Sequence, residues 1–491
     1  MFYPFTMKKT LIIAAALLIQ TVAFAQGVDD ACLFSQTYYQ GTAKALGMGN
    51  ALGAVGGDMT AVCINPASMG IYRSSELTTS LSLSDNYTPS TYYGNKKDGT
   101  IFRFSIPNVG YVHAKERSNY KALRYTQFGV GLTRTNDFNI HSISKGLNPT
   151  SSRTNNSYFL NQINNIHPDD LPDDSWYLWQ TYLIDDHTDS TGYFYTSNVP
   201  QNNILQSQEY NFKGRSDEWN FTFSSNFNER LFIGVSLNLN YIKREGEQVF
   251  EESREPNANT DFVSWNSTER IKSTAVGCNA KLGVIYRANN WLRIGCAFHS
   301  PGLYSFNETR QVNTESRFVR SDYHKYTGEE YTYKYTFISP LKCVGSLAFV
   351  VKEQGMISLD MEYSNYGAAR FKTASNDDYD YDPTNNAIKD KYGHTLNVRL
   401  GTEWYVGGTY LRFGTAYYGS PFGFGQTGGS VKKVSCGVSV PVSASTSFDF
   451  AYELSHGKNF ITLYDAGDLG IESITHSNYR HLLLTTLKIR F

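Results

Sequence analysis

The sequence lacks a long apolar run after its N-terminus, an excess of either charge, and the usual share of charged residues. No stretch beyond residue 25 stays apolar for the roughly 20 residues that a membrane-spanning helix needs. With 44 Lys plus Arg against 45 Asp plus Glu, the chain has no basic excess for binding phosphates, so we expect no nucleic-acid partner. Charged residues make up 18% of the chain, below the roughly 25% of soluble domains.

Cysteine and catalytic motifs are also scarce. Of the six Cys, Cys32 and Cys63 could form one disulfide, which the sequence leaves open. The chain contains neither His-Glu-x-x-His nor Gly-x-Ser-x-Gly, the arrangements that hold a catalytic zinc ion or a serine nucleophile. We therefore expect no enzyme, no catalytic residue, no metal and no cofactor. The other four Cys occupy apolar positions of alternating segments, where we expect them to pack as small hydrophobic groups: Cys278, Cys296, Cys343 and Cys436.

Aromatic residues and glycine are abundant instead, with 36 Tyr, 30 Phe and 40 Gly. From Glu76 onwards apolar and polar residues alternate, as in Leu231, Ile233, Val235 and Leu237, between which small polar residues lie. Period-two alternation predicts β-strands with one apolar face. About fourteen such segments occur, near residues 77–84, 101–106, 125–133, 219–227, 231–241, 276–286, 291–299, 341–350, 357–363, 396–404, 411–417, 434–440, 448–454 and 483–491.

The connections between these segments alternate between short and long. Short links predicted at 228–230, 288–290, 352–355, 406–408 and 442–445 contrast with long loops at 135–218, 244–273, 300–340, 367–393 and 457–480. Short turns on one rim and long loops on the other are typical of outer-membrane barrels. A soluble β-sandwich or propeller would also alternate, but it gives no reason for this asymmetry. We therefore predict an all-β, antiparallel transmembrane barrel in the outer membrane, surrounded by lipid.

Both ends of the chain fit export to that membrane. Lys8 and Lys9 precede an apolar run, and the small residues before Gln26 resemble a cleavage site, so residues 1–25 are predicted to be a signal peptide. The last segment alternates up to Phe491. A terminal aromatic on the lipid face resembles the signal that the barrel-assembly machinery reads during biogenesis.

Residues 26–75 do not alternate and are rich in Gly and Ala, which suits close packing against other backbone. A dinucleotide-binding loop is excluded because the third glycine of Gly47, Gly49 and Gly53 comes one place late and no strand precedes it. We expect residues 26–75 to form a plug inside a barrel of residues 76–491.

The segment 41–77 resembles the N-terminal plug of the FadL/TodX family of outer-membrane transporters for hydrophobic compounds. Its most specific element is Asn65, Pro66 and Ala67, which matches the family's Asn-Pro-Ala plug motif. The segment 396–422 resembles, more weakly, the family's paired late strands. The resemblance implies a plugged fourteen-stranded barrel that passes long-chain fatty acids or hydrocarbons by diffusion, with lateral exit through the wall into the membrane.

Three groups of residues are candidates for such a function. Lateral exit needs a break in strand pairing, for which Gly129 and Gly131 are candidate kinks; alternatively, these glycines make room for the plug. The long loop 135–218 carries residues that we expect on roughly one face of a helix capped near Pro172 and Asp173, as a greasy capture groove or as packing onto neighbours: Trp176, Trp179, Tyr182 and Leu183. For a carboxylate ligand the lumen needs cations, although neighbouring acids would neutralise most of these: Lys281, Arg293, Lys342, Arg399 and Arg412.

The sequence therefore predicts passive uptake of hydrophobic small molecules. The alternative is a non-transporting barrel of the same family that acts as a scaffold for protein secretion or surface attachment through its outer loops. A continuous apolar path past Asn65 and Pro66 that ends at a gap in the wall would favour transport, whereas a sealed wall would favour the scaffold.

Overall fold

The structure is a computed structural model that describes residues 27–117, 122–320, 323–374, 379–425 and 427–491. The predicted signal peptide, residues 1–25, lies outside the described residues. Within the described ranges, no helix has the length and apolar character that crossing a membrane requires.

In the described part of the chain, six short α-helices lie outside the strands. Three belong to the N-terminal segment, two to the longest connection and one to a later connection. They are α1 (Val28–Ser35), α2 (Ala43–Gly47), α3 (Met59–Ile64), α4 (Ser157–Ile163), α5 (Asp173–Gln180) and α6 (Asp382–Lys391). Short 3₁₀-helices cover Pro66–Ile71, Pro168–Asp170, Tyr366–Ala368 and Gly467–Leu469.

Strands dominate the described chain, and all but two of them join one antiparallel sheet. The strands are β1 (Glu76–Tyr92), β2 (Asn95–Glu116), β3 (Leu123–Asp137), β4 (Ile140–Asn148), β5 (Ile184–Asp189), β6 (Gly192–Ser197), β7 (Ile204–Phe227), β8 (Leu231–Arg254), β9 (Phe262–Arg287), β10 (Leu292–His299), β11 (Leu303–Phe318), β12 (Tyr323–Thr327), β13 (Tyr331–Ile338), β14 (Lys342–Val351), β15 (Gly355–Asn365), β16 (Arg370–Thr373), β17 (His394–Val406), β18 (Thr409–Tyr418), β19 (Val431–Pro441), β20 (Thr446–Ile461) and β21 (Ile474–Arg490). The β5–β6 hairpin stands apart.

The sheet closes on itself as a barrel of fourteen wall strands, as the sequence predicts. Each wall strand pairs with its neighbours in the chain, and β1 pairs with both β2 and β21 to close the ring. Four wall strands are interrupted, so that each consists of two segments: β3 with β4, β10 with β11, β14 with β13, and β15 with β16. Closure through β1 and β21 means that the ring has no end strand with a free edge.

The predicted alternation sorts residues between the outside and the inside of the barrel. On β8, Ile233, Val235 and Leu237 are exposed on the outer surface, whereas Ser236 and Asn238 are buried towards the lumen. The exposed thiols Cys278, Cys296, Cys343 and Cys436 lie on the outer, apolar face. An exterior of apolar side chains around a polar interior is the arrangement of a membrane-embedded barrel.

The rim asymmetry is confirmed, but the predicted long loops are shorter than the sequence suggests. The segments 244–273 and 300–340 are largely strand, because β8, β9, β11 and β13 continue beyond the apolar band as paired extensions. Residues 135–218 likewise contain β4 and the start of β7, so the true connection runs over residues 149–203. At the same rim, β1 and β2 join through a two-residue turn, Tyr93 and Gly94, both with positive φ.

The N-terminal segment from Val28 to Tyr72 is largely buried inside the barrel and contacts the lumen face around most of the ring. Gly47 lies against β19, Gly49 against β18, and Gly53 against β14 and β15. The amide of Ala43 donates to Thr486 Oγ1 on β21 at 2.7 Å. The segment therefore packs inside the barrel, and it is called the plug below.

The alternation yields a test of the membrane-facing surface. Leu237 is 64% exposed near the middle of the exterior apolar run of β8. Leu237→Arg is expected to lower the free energy of unfolding from lipid vesicles by about 2–4 kcal/mol, since a cation there meets hydrocarbon. Leu469→Arg, in a polar connection, is the matched control; equal effects of the two substitutions would contradict a lipid-facing β8.

Candidate functional site

The Asn-Pro-Ala motif fixes the plug to three adjacent wall strands. Asn65 caps the following 3₁₀-helix by accepting from the Ala67 amide at 3.1 Å. Its Nδ2 donates to the carbonyl of Gly53 at 2.8 Å and to that of Val284, on β9, at 3.3 Å. One side chain thus joins two plug segments to the wall.

Wall glycines provide the space for this motif. A Cβ at Gly283 would lie 2.0 Å from Asn65 Oδ1, and one at Gly234 would lie 2.3 Å from the Pro66 carbonyl carbon. A Cβ at Gly295 would approach Gly53 O to 2.8 Å. No larger residue fits these places without moving the plug.

The five predicted lumen cations all point inwards, where they hold the plug or pair with wall acids. Lys281 Nζ donates to the Cys63 carbonyl at 2.8 Å and to Glu218 at 2.5 Å. Arg293 donates to the Val55 carbonyl at 3.0 Å. These two cations therefore stabilise the position of the plug.

The other three predicted cations also have partners. Lys342 Nζ donates to the Ser35 carbonyl at 3.0 Å. Arg399 pairs with Glu362 at 3.1 Å, and Arg412 pairs with Glu403 at 2.5 Å. Each of the five cations therefore already has a partner, and none is left unpaired for a carboxylate ligand.

A buried charge network joins the plug to the last strands. Lys488 Nζ lies 3.3 Å from Asp58 of the plug and 2.9 Å from Asp449 of β20. Lys44 of the plug lies 3.8 Å from Glu403. Removing one partner of such a buried pair lowers the stability of the protein, because the other charge stays buried without a counter-charge.

Gly129 and Gly131 do not kink the wall. Both are paired in register with β2 on one side and β7 on the other. A Cβ at Gly129 would lie 2.4 Å from Met69 Cε, and one at Gly131 would lie 2.3 Å from Met59 Cε. The structure thus gives these glycines the second role considered above, making room for the plug.

The break in the wall lies further along β2 and β3. The two strands pair only between Asn108–Glu116 and Tyr125–Thr133. Residues 95–105 of β2 pair with β1 alone, and Ile106 and Pro107 lie at a register shift without a ladder partner. Pro107, which has no amide hydrogen to donate, stands where the β2–β3 pairing ends.

Beyond this point the β3–β4 strand turns into the lumen. The register with β7 shifts between Arg134 and Asn136, and β4 then continues along β7. The Asn139 carbonyl accepts from Asn86 Nδ2, on the inner face of β1, at 2.8 Å. A Cβ at Gly99 of β2 would lie 2.2 Å from His141 O. Hence β4 crosses behind the β1–β2 hairpin instead of pairing beside it.

The plug replaces β2 as a hydrogen-bonding partner of β3 at the break. The amide of Tyr38 donates to Thr135 O at 2.6 Å, and that of Gln40 donates to Arg134 O at 3.0 Å. Gln40 Nε2 also donates to Asp137 at 2.9 Å. The carbonyls of Arg134 and Thr135, which do not pair with β2, therefore accept hydrogen bonds from the plug.

The outer face of β2 beside the break is strongly apolar. Phe102 and Phe104 are 63% and 62% exposed, and Ile106 is 50% exposed. Ser105, which lies between Phe104 and Ile106 in the sequence, points inwards, since its hydroxyl contacts the hydroxyl of buried Ser82 at 2.7 Å. The break in pairing therefore lies beside an apolar outer surface and not in the polar loops.

An aromatic cluster fills the lumen next to the break. Phe34 of α1 packs against Phe306 at 4.7 Å between ring centroids and against Phe138 at 5.9 Å. Phe138 directly follows β3, so its burial in this cluster holds the strand in its inward course. Asp30 of α1 pairs with Arg244 and Arg310, which fixes the helix inside the barrel.

The predicted capture residues do not share an exposed face. The helix α5 ends at Gln180, before Tyr182 and Leu183. Leu183 is fully buried, whereas Tyr182 is 56% exposed with positive φ. Trp176 packs edge-on against Tyr326 at 4.9 Å, and Trp179 Nε1 donates to Asp186 at 2.9 Å. The capture groove is therefore not formed, and these residues mainly pack the connection onto its neighbours.

A buried carboxylate anchors the same connection to the outer ends of the strands. Glu252 accepts from the Arg153 amide, Ser152, Gln206 and Trp265 at 2.7–2.8 Å. Burial raises the pKa of Glu252, although these four donors oppose the shift. Residues 149–203 thus form a docked cap, held by a network that no local sequence pattern indicates.

The remaining predicted features have a clear place. Cys32 and Cys63 are free thiols in separate clusters, so no disulfide joins them.

Phe491 is 67% exposed and stacks on Tyr111 at 6.2 Å. Its amide and carbonyl pair with Ser75, which joins the end of the barrel to the end of the plug. Its predicted reading by the assembly machinery stays a prediction.

Comparison with known proteins identifies the architecture. A Pseudomonas aeruginosa FadL homologue aligns with a TM-score of 0.60 over 93% of this chain and 99% of its own, at 10% sequence identity. The P. putida toluene transporter TodX aligns with a TM-score of 0.54 over 93% and 99%, at 13% identity. The fold is that of the FadL-type channels. No protein-family model and no curated protein matches the sequence.

The glycine contacts give a direct test of the plug. Gly283→Ala is expected to lower the free energy of unfolding by about 1–3 kcal/mol, because the new methyl group must displace Asn65. Limited proteolysis should then cut residues 27–75 faster than in the parent protein. Gly345→Ala is the control, since a Cβ there meets open space; equal protection in both variants would contradict the plug contact.

Proposed function

We propose that this protein is a passive channel for hydrophobic small molecules in the outer membrane, with lateral exit through the wall between β2 and β3–β4. The observation that carries the proposal is the segment 95–107 of β2, which has no partner strand on its β3 side, with Phe102 and Phe104 exposed outside it and β4 behind it. It offers a route from the lumen to hydrocarbon.

Solubility gives the physical reason for such a route. Moving an alkyl chain into water costs about 0.8 kcal/mol for each CH₂ group. A molecule that leaves through the break passes from the aromatic lumen around Phe34 and Phe138 to lipid without crossing an aqueous channel.

The break lies on the outer side of the level at which Met59 packs against Gly110 and Gly131. A solute therefore does not have to pass Asn65 and Pro66, contrary to the path considered from the sequence. The plug would instead block the lumen below the break, so that solutes leave through the wall into the membrane.

The charge distribution bears on the class of solute. All five predicted lumen cations have partners in the plug or the wall. None of them is therefore left unpaired to bind the carboxylate of a ligand. We therefore favour uncharged hydrocarbons over long-chain fatty acids. The similarity to the toluene transporter TodX agrees with this choice.

The test is to obstruct the opening without touching the plug. Ser105→Trp places a large ring on the inner face of β2, whereas Phe104→Trp places the same ring in lipid and serves as the control. Uptake of toluene and of oleate into vesicles that contain each variant is the measurement. We expect Ser105→Trp to slow toluene uptake about tenfold, which corresponds to a barrier higher by about 1.4 kcal/mol.

Folding of both variants is checked by the shift of unheated protein on gels. If the two variants and the parent transport equally, the lateral route is wrong. If none of them transports either solute and secreted proteins co-purify with the barrel, the scaffold function is favoured instead.

A further inference from the structure

Three arginines line one cavity at the short-turn rim of the barrel, away from the wall break. Arg124 is the second residue of β3, Arg230 is the last residue of the turn between β7 and β8, and Arg287 is the last residue of β9. The cavity measures about 350 Å³, and three asparagines and Glu229 complete its lining. All of its lining residues come from three consecutive turns or strand ends at this rim.

Backbone hydrogen bonds hold these turns together. The amide of Asn228 donates to the Ala122 carbonyl at 2.8 Å, and the amide of Arg287 donates to the Arg230 carbonyl at 2.7 Å. The cavity is therefore part of the rim's paired framework rather than a chance gap between mobile side chains.

The charges in this cavity are not balanced. Its one acid, Glu229, is paired with Arg73 at 3.5 Å. Among the residues that the structure describes, none of the three arginines has a carboxylate partner, and the Arg287 guanidinium donates only to the side-chain oxygen of Asn290 at 3.0 Å. Three like charges around one cavity favour an anion between them. Guanidinium groups bind phosphate through two parallel hydrogen bonds.

The position of the cavity decides between possible anions. Tyr286 and Ile233 stand on the outer apolar face within three residues of Arg287 and Arg230, and both are more than 40% exposed. Exposed Trp291 follows the next turn and stacks on Phe349 at 6.1 Å. Exposed aromatic residues mark the level of the lipid headgroups in membrane barrels, so the arginines lie where the phosphates of the inner leaflet lie.

We propose that Arg124, Arg230 and Arg287 form a binding site for the phosphate group of an anionic phospholipid in the periplasmic leaflet of the outer membrane. Other short turns differ in composition: 407–408 is Gly-Gly, and 442–445 carries no charge. The site therefore tethers one sector of the barrel, β3 and β7–β9, to a lipid.

The test uses the full protein in detergent and native mass spectrometry after incubation with phosphatidylglycerol. Arg124→Gln, Arg230→Gln and Arg287→Gln are made singly and as a triple variant. The control is Arg320→Gln, which changes an exposed arginine at the opposite rim. Each substitution in the site should weaken lipid retention roughly fivefold, since one basic residue near the lipid surface contributes about that factor. Arg320→Gln should not change it.

A second arm adds millimolar inorganic phosphate to the lipid-loaded protein. Retention of phosphatidylglycerol under phosphate supports a lipid site, whereas complete displacement by phosphate would show a site for free phosphate and overturn the lipid assignment. Unchanged lipid retention in the triple variant, with the folded mobility on gels preserved, would overturn the site itself.

Discussion

The need to satisfy every backbone hydrogen bond inside a membrane governs this structure. Hydrocarbon offers no partner to an unpaired amide or carbonyl, so a wall of strands must close on itself. The barrel meets that need through the β1–β21 ladder and departs from it along residues 95–107 of β2. On the β3 side of this break the plug supplies replacement donors, because the amides of Tyr38 and Gln40 donate to carbonyls of β3.

The plug and the wall therefore depend on each other. Wall glycines such as Gly283 admit the Asn-Pro-Ala motif, and lumen cations such as Lys281 bind plug carbonyls. In return, the plug carries Phe34, which packs with Phe138 where the strand turns inwards. The break in strand pairing is thus stabilised by contacts inside the barrel, and the outer face beside it is apolar.

Periodicity predicted the strand number and the inward and outward faces, because each depends on local pattern. Strand lengths were underestimated, since the paired extensions of β8 and β9 beyond the membrane no longer alternate in polarity. The wall break was placed at Gly129 and Gly131, whereas Pro107 was the available signal, as proline cannot continue a ladder. Trp176 and Leu183 were grouped by helical spacing, but the helix ends before Leu183. The Glu252 network joins residues about 100 positions apart, which no local pattern reveals.

The most direct measurement asks whether the inner face of β2 at the break is accessible from lipid. In a variant whose four exposed Cys are replaced by Ser, a spin label at Ser105→Cys is compared with one at Ser435→Cys, an inward position on a strand paired on both sides. In vesicles, oxygen dissolved in the lipid should relax the Ser105 label strongly and the Ser435 label weakly. Equal, weak relaxation of both labels would contradict an opening between the lumen and the membrane.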